Sequence, residues 1–226
     1  MMKISNNIMI IDTETFSATH LVHDVGYVII DKDFNILHTN RMLTYEFHKL
    51  APQLLKNDRF YTDYEKNYNK ARLTEKVMRW CDISKEIASD IKKYNVKVIS
   101  AYNLAFDYKA LQNTDTFFKS NAVTRAITAK TRKLLCIYNL ACGKLLNTNK
   151  YHKFAKLHNL ISNKGNYKTS AEAAYRYITD DTEYNEKHTA LSDAQDEKII
   201  LEYIIKHNKG SVKYGLFYNC YKKAQN

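Results

Sequence analysis

Apolar positions follow two rhythms along this chain. The first is the rhythm of strands. Ile8, Met9, Ile10 and Ile11 form an unbroken, largely β-branched run that ends on Asp12, and this predicts a buried strand. Residues 25–30 predict a second strand, 31–35 a turn, and 36–43 a third strand. Three strands joined by short connections predict an antiparallel meander. The second rhythm is helical. Within residues 73–94, Val77, Trp80, Ile83, Ile87 and Ile91 recur at spacings of three and four, with Thr74 placed to start the helix and Asn95 to end it. Residues 96–100 predict a fourth strand. A helix leads into it, so the chain is expected to cross over to a parallel neighbour.

Beyond residue 100 the elements are shorter. Residues 101–111 open a helix, a further helical stretch covers 115–130, and 133–138 predict a fifth strand. Short helices are predicted at 140–146, 150–161 and 170–178, the last started by Thr169 or Ser170 with Glu172. Residues 185–194 lead into a final helix with Ile199, Ile200, Tyr203 and Ile204 as its apolar face. Lys206 and His207 suit its C-terminal end, and Gly210 lies just past it. Residues 44–70 show no clean period, and the pattern assigns no element to 212–226.

Composition narrows the class. With 226 residues, 45% of them hydrophobic, the chain can bury one substantial α/β core, and 5 Gly and 1 Pro leave little room for a flexible linker. A net charge of +11 suits a nucleic-acid partner. The abundance of Lys, Asn, Ile and Tyr also fits AT-rich coding, as in a low-GC bacterium or its virus. Arg59, Phe60, Tyr61, Tyr64, Lys66, Tyr68 and Lys70 interleave aromatics with cations, a pattern that can stack bases and hold phosphates. An irregular connection is the simpler reading of the same stretch. The cysteines at 81, 136, 142 and 220 form no C-x-x-C pair. No secretory signal and no membrane-spanning run is found, so the expectation is a cytoplasmic protein with reduced thiols.

Candidate chemistry rests on four acids and a histidine. Asp12 and Glu14 are two apart on a strand, so they share a face. Asp107 follows Asn103 by four on a predicted helix and shares its face. Asp193 follows His188 by five. Inside one regular helix those two would point about 140° apart, so His188 is expected on the loop entering the helix and Asp193 in its first turns. Each of these features alone is commonplace. Together, four carboxylates from a strand end and two helix starts can hold two hard divalent cations about 3.5–4 Å apart, the arrangement that clamps both oxygens of a phosphoryl displacement. Oxygen-only ligands favour Mg²⁺ or Mn²⁺ over Zn²⁺. A nearby histidine can take a proton from an attacking water.

Three stretches then carry a resemblance. Asp12-Thr13-Glu14-Thr15, Tyr102-Asn103-Leu104-Ala105-Phe106-Asp107 and His188-Thr189-Ala190-Leu191-Ser192-Asp193-Ala194 resemble, in order and separation, the three motifs of the DEDDh (DnaQ-like) 3′→5′ exonucleases. That family includes the proofreading subunit of bacterial DNA polymerase III, ribonuclease T and oligoribonuclease. Val25-Gly26-Tyr27-Val28 also resembles the second strand of that fold, and the likeness runs over about residues 8–207.

The resemblance implies a ribonuclease-H-like α/β fold, with a central mixed five-stranded sheet (three antiparallel strands, two parallel) flanked by helices. It implies one exonuclease domain over 1–226, the tail at 208–226 lying outside the core. The implied activity is stepwise release of nucleoside 5′-monophosphates from single-stranded 3′ ends, DNA somewhat ahead of RNA, with two divalent cations (Mg²⁺ or Mn²⁺). Asp12, Glu14 and Asp193 would hold the cation carrying the attacking water. Asp12 and Asp107 would serve the second, and His188 would be the general base. Thr13, Thr15, Phe16, Asn103 and Phe106 fall where substrate is contacted. A polymerase or a second copy of the chain is the kind of partner the family suggests. Two positions depart from the usual pattern. Tyr102 stands where a histidine is common, and Tyr138-Asn139 where Asp-Thr is common. Three other readings compete: an exoribonuclease, a silent nucleic-acid-binding module, and a different nuclease (endonuclease or integrase) on the same fold.

Overall fold

The computed structural model describes residues 2, 4–56 and 76–215. The aromatic and basic positions at 59–70, Leu73 and Thr74, Cys220 and the tail from 216 onward lie outside the described residues.

A six-stranded sheet forms the centre, in the order β4-β3-β2-β1-β5-β6. β1 (Ile8–Thr15), β2 (Val22–Ile30) and β3 (Ile36–Thr44) make the expected antiparallel meander. β5 (Val98–Ala101) lies parallel to β1, and β6 (Lys133–Cys136) parallel to β5. The expected five strands are therefore all present.

A sixth was not expected. β4 (Lys76–Met78) pairs parallel with the free edge of β3, inside the stretch whose periodicity predicts helix. The backbone at Met42–Thr44 offers unpaired donors and acceptors there, and a three-residue strand satisfies them. Arg79 is then extended, and helix begins only at Trp80.

Of the helices, α1 (Pro52–Lys56) follows a wide helical turn at Glu46–Leu50. α2 (Trp80–Lys93), α3 (Leu104–Phe117) and α4 (Ala122–Thr128) cover one face of the sheet. α5 (Ile137–Ala141), which runs into a wide turn at Cys142–Leu146, α6 (Asn149–Leu157), α7 (Ala171–Thr179) and α8 (Ala190–His207) cover the other. The helix expected over 115–130 is split. α3 runs on to Phe117, and α4 restarts only at Ala122. Buried Asp115 explains the join. It accepts from Trp80 Nε1 (3.0 Å), Ser84 Oγ (2.8 Å), Thr124 N (3.0 Å) and Thr124 Oγ1 (2.8 Å), tying three helices together.

Strand alternation sorts the core. Ile8 and Ile10 face α5–α8, while Met9 and Ile11 face α2–α4. The final helix buries Ile200, Leu201, Ile204 and Ile205 and leaves Ile199 exposed, so its apolar stripe is rotated one position from the expected face. Ser170, not Thr169, caps α7, accepting from Ala173 N at 3.2 Å. Among the described residues Cys81, Cys136 and Cys142 form no disulfide. No described helix is long and apolar enough to cross a membrane.

Candidate active site

Parity along β1 decides what reaches the site. Asp12 and Glu14 continue the Ile8–Ile10 face, toward α8, while Thr13 continues the opposite face, toward α3. Asp107, in the first turn of α3 and 2% exposed, approaches from that opposite side. Its Oδ1 accepts from Thr13 N (3.1 Å) and Thr13 Oγ1 (2.9 Å). Carboxylates from two elements far apart in sequence thus meet across the end of one strand. Asn103, just before α3, sits at φ 70°, the left-handed region that Asn tolerates better than most residues. The turn it makes redirects the chain from β5 into α3.

α8 brings the third acid. Its first residues are held at Asp24, fully buried on β2. Asp24 accepts from Arg41 Nε (3.0 and 3.1 Å), Arg41 Nη2 (2.7 Å) and the Ala190 amide (3.4 Å). Asp193 follows in the first turn, 8% exposed. His188 lies on the loop two residues before the helix, at φ 52°. That is the placement its spacing from Asp193 predicts. Single ligand atoms of Glu14, His188 and Asp193 lie within 4.8 Å of one another.

Asp12, Thr13, Glu14, Asn103, His188 and Asp193 line one open cleft of about 480 Å³, while Asp107, bonded to Thr13, is not on its wall. Thr15, Phe16 and Phe106 are not among its lining residues. Phe16 is buried, its ring edge-on to Phe47 and tilted against His23. Phe106 is exposed, edge-on to His20. Tyr102, at the position where a histidine is common, also lines the cleft. Its hydroxyl donates to the Thr169 carbonyl at 2.7 Å, which fastens the end of β5 to the start of α7. Tyr138 lines the wall beside it, its ring edge-on to that of Tyr102.

Two further acids on the wall, Glu186 and Glu197, were not singled out in the sequence. Glu186 stands two residues before His188. Glu197 stands four after Asp193, a spacing that puts both on one helix face and was available as a signal.

Without a cation this wall is electrostatically expensive. Loss of water around Asp12, then the charges of Asp107, Glu197, Asp193 and Glu14, hold its carboxyl well above the usual range. Burial first, then Asp24 and other acids, push Glu14 up to about 8, although a hydrogen bond with Asp193 acts in the opposite sense. Burial and the charge of Glu14 push Asp193 up to about 9. Burial lifts Asp107 to about 7 against its bonds with Thr13. Asp193 Oδ1 and Glu197 Oε2 are buried without a hydrogen-bond partner. Acceptors stranded in this way cost about 1–3 kcal/mol each, more when charged. Oxygen donors gathered at this density, with orphaned lone pairs, fit hard divalent cations.

No family model and no curated protein matches the sequence. Solved structures do match. The zinc-bound Exonuclease I–ssDNA complex of E. coli superimposes with a TM-score of 0.57 at 13% identity, over 90% of this chain and 41% of that one. A product-bound Exonuclease I gives 0.57 at 13% identity, over 90% and 44%. E. coli Exonuclease I with a dT13 oligonucleotide gives 0.54 at 13%, over 88% and 41%. The chain thus spans about two fifths of the length of Exonuclease I. It shares the fold of Exonuclease I, a mixed sheet flanked by helices of the kind that the sequence resemblance implied.

Proposed function

We propose that the chain is a metal-dependent 3′→5′ exonuclease, acting as one domain on single-stranded ends and releasing nucleoside 5′-monophosphates. The observation that carries this reading is the meeting of Asp12, Glu14, Asp193 and His188 on one cleft wall, with Asp107 bonded to Thr13 behind it. Asp12, Glu14 and Asp193 would hold one divalent cation, and Asp12 with Asp107 a second. Bound there, Mg²⁺ or Mn²⁺ would supply charge stabilisation for the attacking and leaving oxygens of the phosphodiester.

The remaining work falls to the chain itself. His188, on a loop and half-buried, accepts a proton from the attacking water as general base. Its left-handed backbone sets it on the cleft wall ahead of the regular turns of α8. Thr13 and Asn103, on the wall, orient the terminal nucleotide. Exonuclease I bound to DNA supports a DNA substrate ahead of RNA.

The test uses 5′-labelled single-stranded DNA and RNA of one sequence, with Mg²⁺ or Mn²⁺ and with chelator. Mononucleotide release that needs the cation and disappears in Asp12→Ala, with binding retained, is the expected result. Undiminished digestion by Asp12→Ala, or internal fragments in place of monomers, overturns it. RNA cut faster than DNA shifts the reading to an exoribonuclease.

A further inference from the structure

Glu197 is the one acid on the cleft wall of α8 that none of the three motifs contains. It lies one turn after Asp193 on the face of α8 that packs against β1 and β2. It is 3% exposed, yet its Oε2 has no hydrogen-bond partner and it lines the cleft. A carboxylate is almost never buried at this level unless it is paired. Among the described residues no lysine or arginine forms an ion pair with it.

Its neighbours fix which end of the cleft it serves. The backbone amide of Tyr102, just past β5, is directed at the Glu197 carboxylate. β1 and β5 run parallel with Ile10 opposite Ser100. Just beyond this pairing, Tyr102 and Asp12 line the same cleft. Glu197 shares the cleft wall with Asp12. Asp107 and Glu197 are the two acids that bear most on Asp12, and Asp107 is the acid that bears most on Glu197. At the other end Asp24 bears most on Glu14, and Glu14 and then Glu186 bear most on Asp193. The carboxylates thus sort into two groups. Asp12 borders both, and Glu197 joins Asp107.

We propose that Glu197 supplies a further carboxylate to the second cation position, next to Asp12 and Asp107, so that this position retains a divalent ion before nucleic acid arrives. The inference rests on the metal-dependent reading above. Its physical basis is charge. Asp12 and Asp107 alone present two carboxylates, one of them shared with the first cation. A third carboxylate, held by the Tyr102 amide and with a free oxygen, turns a half-formed position into one that does not need a substrate phosphate to complete it. Neutralisation by the ion in turn relieves the burial of Glu197.

Mn²⁺ binding to the full chain without nucleic acid tests this, read by the electron paramagnetic resonance of free Mn²⁺ and by calorimetric titration. The wild type is expected to bind two Mn²⁺ per chain. Glu197→Gln, which keeps shape and the Tyr102 contact, is expected to keep one site and weaken the other at least tenfold. Glu197→Asp is expected to recover part of that loss. In chelator, Glu197→Gln should melt at or above the wild-type temperature, because a buried acid without a cationic partner is gone. A lower melting temperature there would mean that Glu197 is a structural residue and would overturn the proposal. So would two Mn²⁺ sites of unchanged affinity in Glu197→Gln, and in that case cation-dependent mononucleotide release by the wild type would leave the exonuclease reading intact. A wild type that binds no Mn²⁺ overturns both.

Discussion

Gly26 on β2 and Leu191 at the start of α8 lie in direct backbone contact. A Cβ at Gly26 would fall 2.1 Å from Leu191 N, 2.4 Å from Ala190 C and 2.5 Å from Leu191 Cα. Gly26 is also the strand partner of Asp12. The missing side chain is what lets the first turn of α8, with Asp193, settle onto the sheet beside the β1 carboxylates.

Gly26→Ala therefore acts on the site through geometry. The atoms in the way are backbone, so α8 must move, and overpacking of this kind costs about 3 kcal/mol. A displacement near 1 Å at a catalytic group costs on the order of 10²-fold in rate. Thermal melting and mononucleotide release should both fall. Activity should fall further than the loss of folded protein accounts for. A variant with wild-type activity would show that α8 is not seated by this contact.

The Asp24–Arg41 pair is the second support of α8. Arg41→Met leaves Asp24 buried, unpaired and close to Glu14, and should destabilise the protein by about 3–5 kcal/mol in urea titrations. Asp24→Asn combined with Arg41→Met removes the stranded charge and should recover a large part of that loss. If the double variant is no more stable than Arg41→Met, the damage lies in packing and not in charge.

Stability of the cation-free protein should fall as pH rises. The acids of the cleft have folded-state pKa values above their unfolded ones, Glu14 near 8 and Asp193 near 9, through burial first and neighbouring acids second. Between about pH 4 and those values the folded state binds more protons than the unfolded one, so stability present below the unfolded pKa is lost on the way up. Mn²⁺ needs the deprotonated ligands, so its stabilising effect should grow over the same range. Melting curves from pH 5 to 9, in chelator and in Mn²⁺, should diverge with pH. Parallel curves would remove the case for a cation at these residues.

His188 lies close enough to Glu14 and Asp193 to act as a base or as a ligand, and one variant separates the roles. As a general base it contributes roughly 10²–10⁴-fold to the rate. His188→Ala should lose cleavage on that order. Mn²⁺ affinity should stay within about twofold, because a general base moves a proton and donates no electron pair to the metal. If Mn²⁺ affinity falls as far as it does in Asp193→Asn, the imidazole is a ligand.

Much of the sheet was legible because its signals are local. The run Ile8–Ile11, the turn at Asp31–Asn35 and the crossover before β5 are each written within a few residues of chain. The misreadings share one cause. β4 forms because β3 has an open edge, and Lys76–Met78 carry no strand pattern of their own. The stripe of α8 is rotated by one position because the helix packs on β1 and β2 over Gly26, a contact that periodicity alone does not contain.

By itself the sequence determined that Asp12 and Glu14 share a face, that Asp107 opens a helix, and that His188 precedes the helix bearing Asp193. These follow from the two-residue repeat of strands and the turn of the helix. Only the tertiary structure decided that Asp107 bonds Thr13, 94 residues away, from across the sheet, and that Asp24 and Gly26 seat the start of α8. It alone placed Glu197, buried with an unpartnered oxygen, on the cleft wall with Asp12. Side-chain direction along one element is set by backbone repeat. Convergence of carboxylates from β1, α3 and α8 is set by how those elements pack, and mutual repulsion among the acids is overcome there by the burial of the apolar faces behind them.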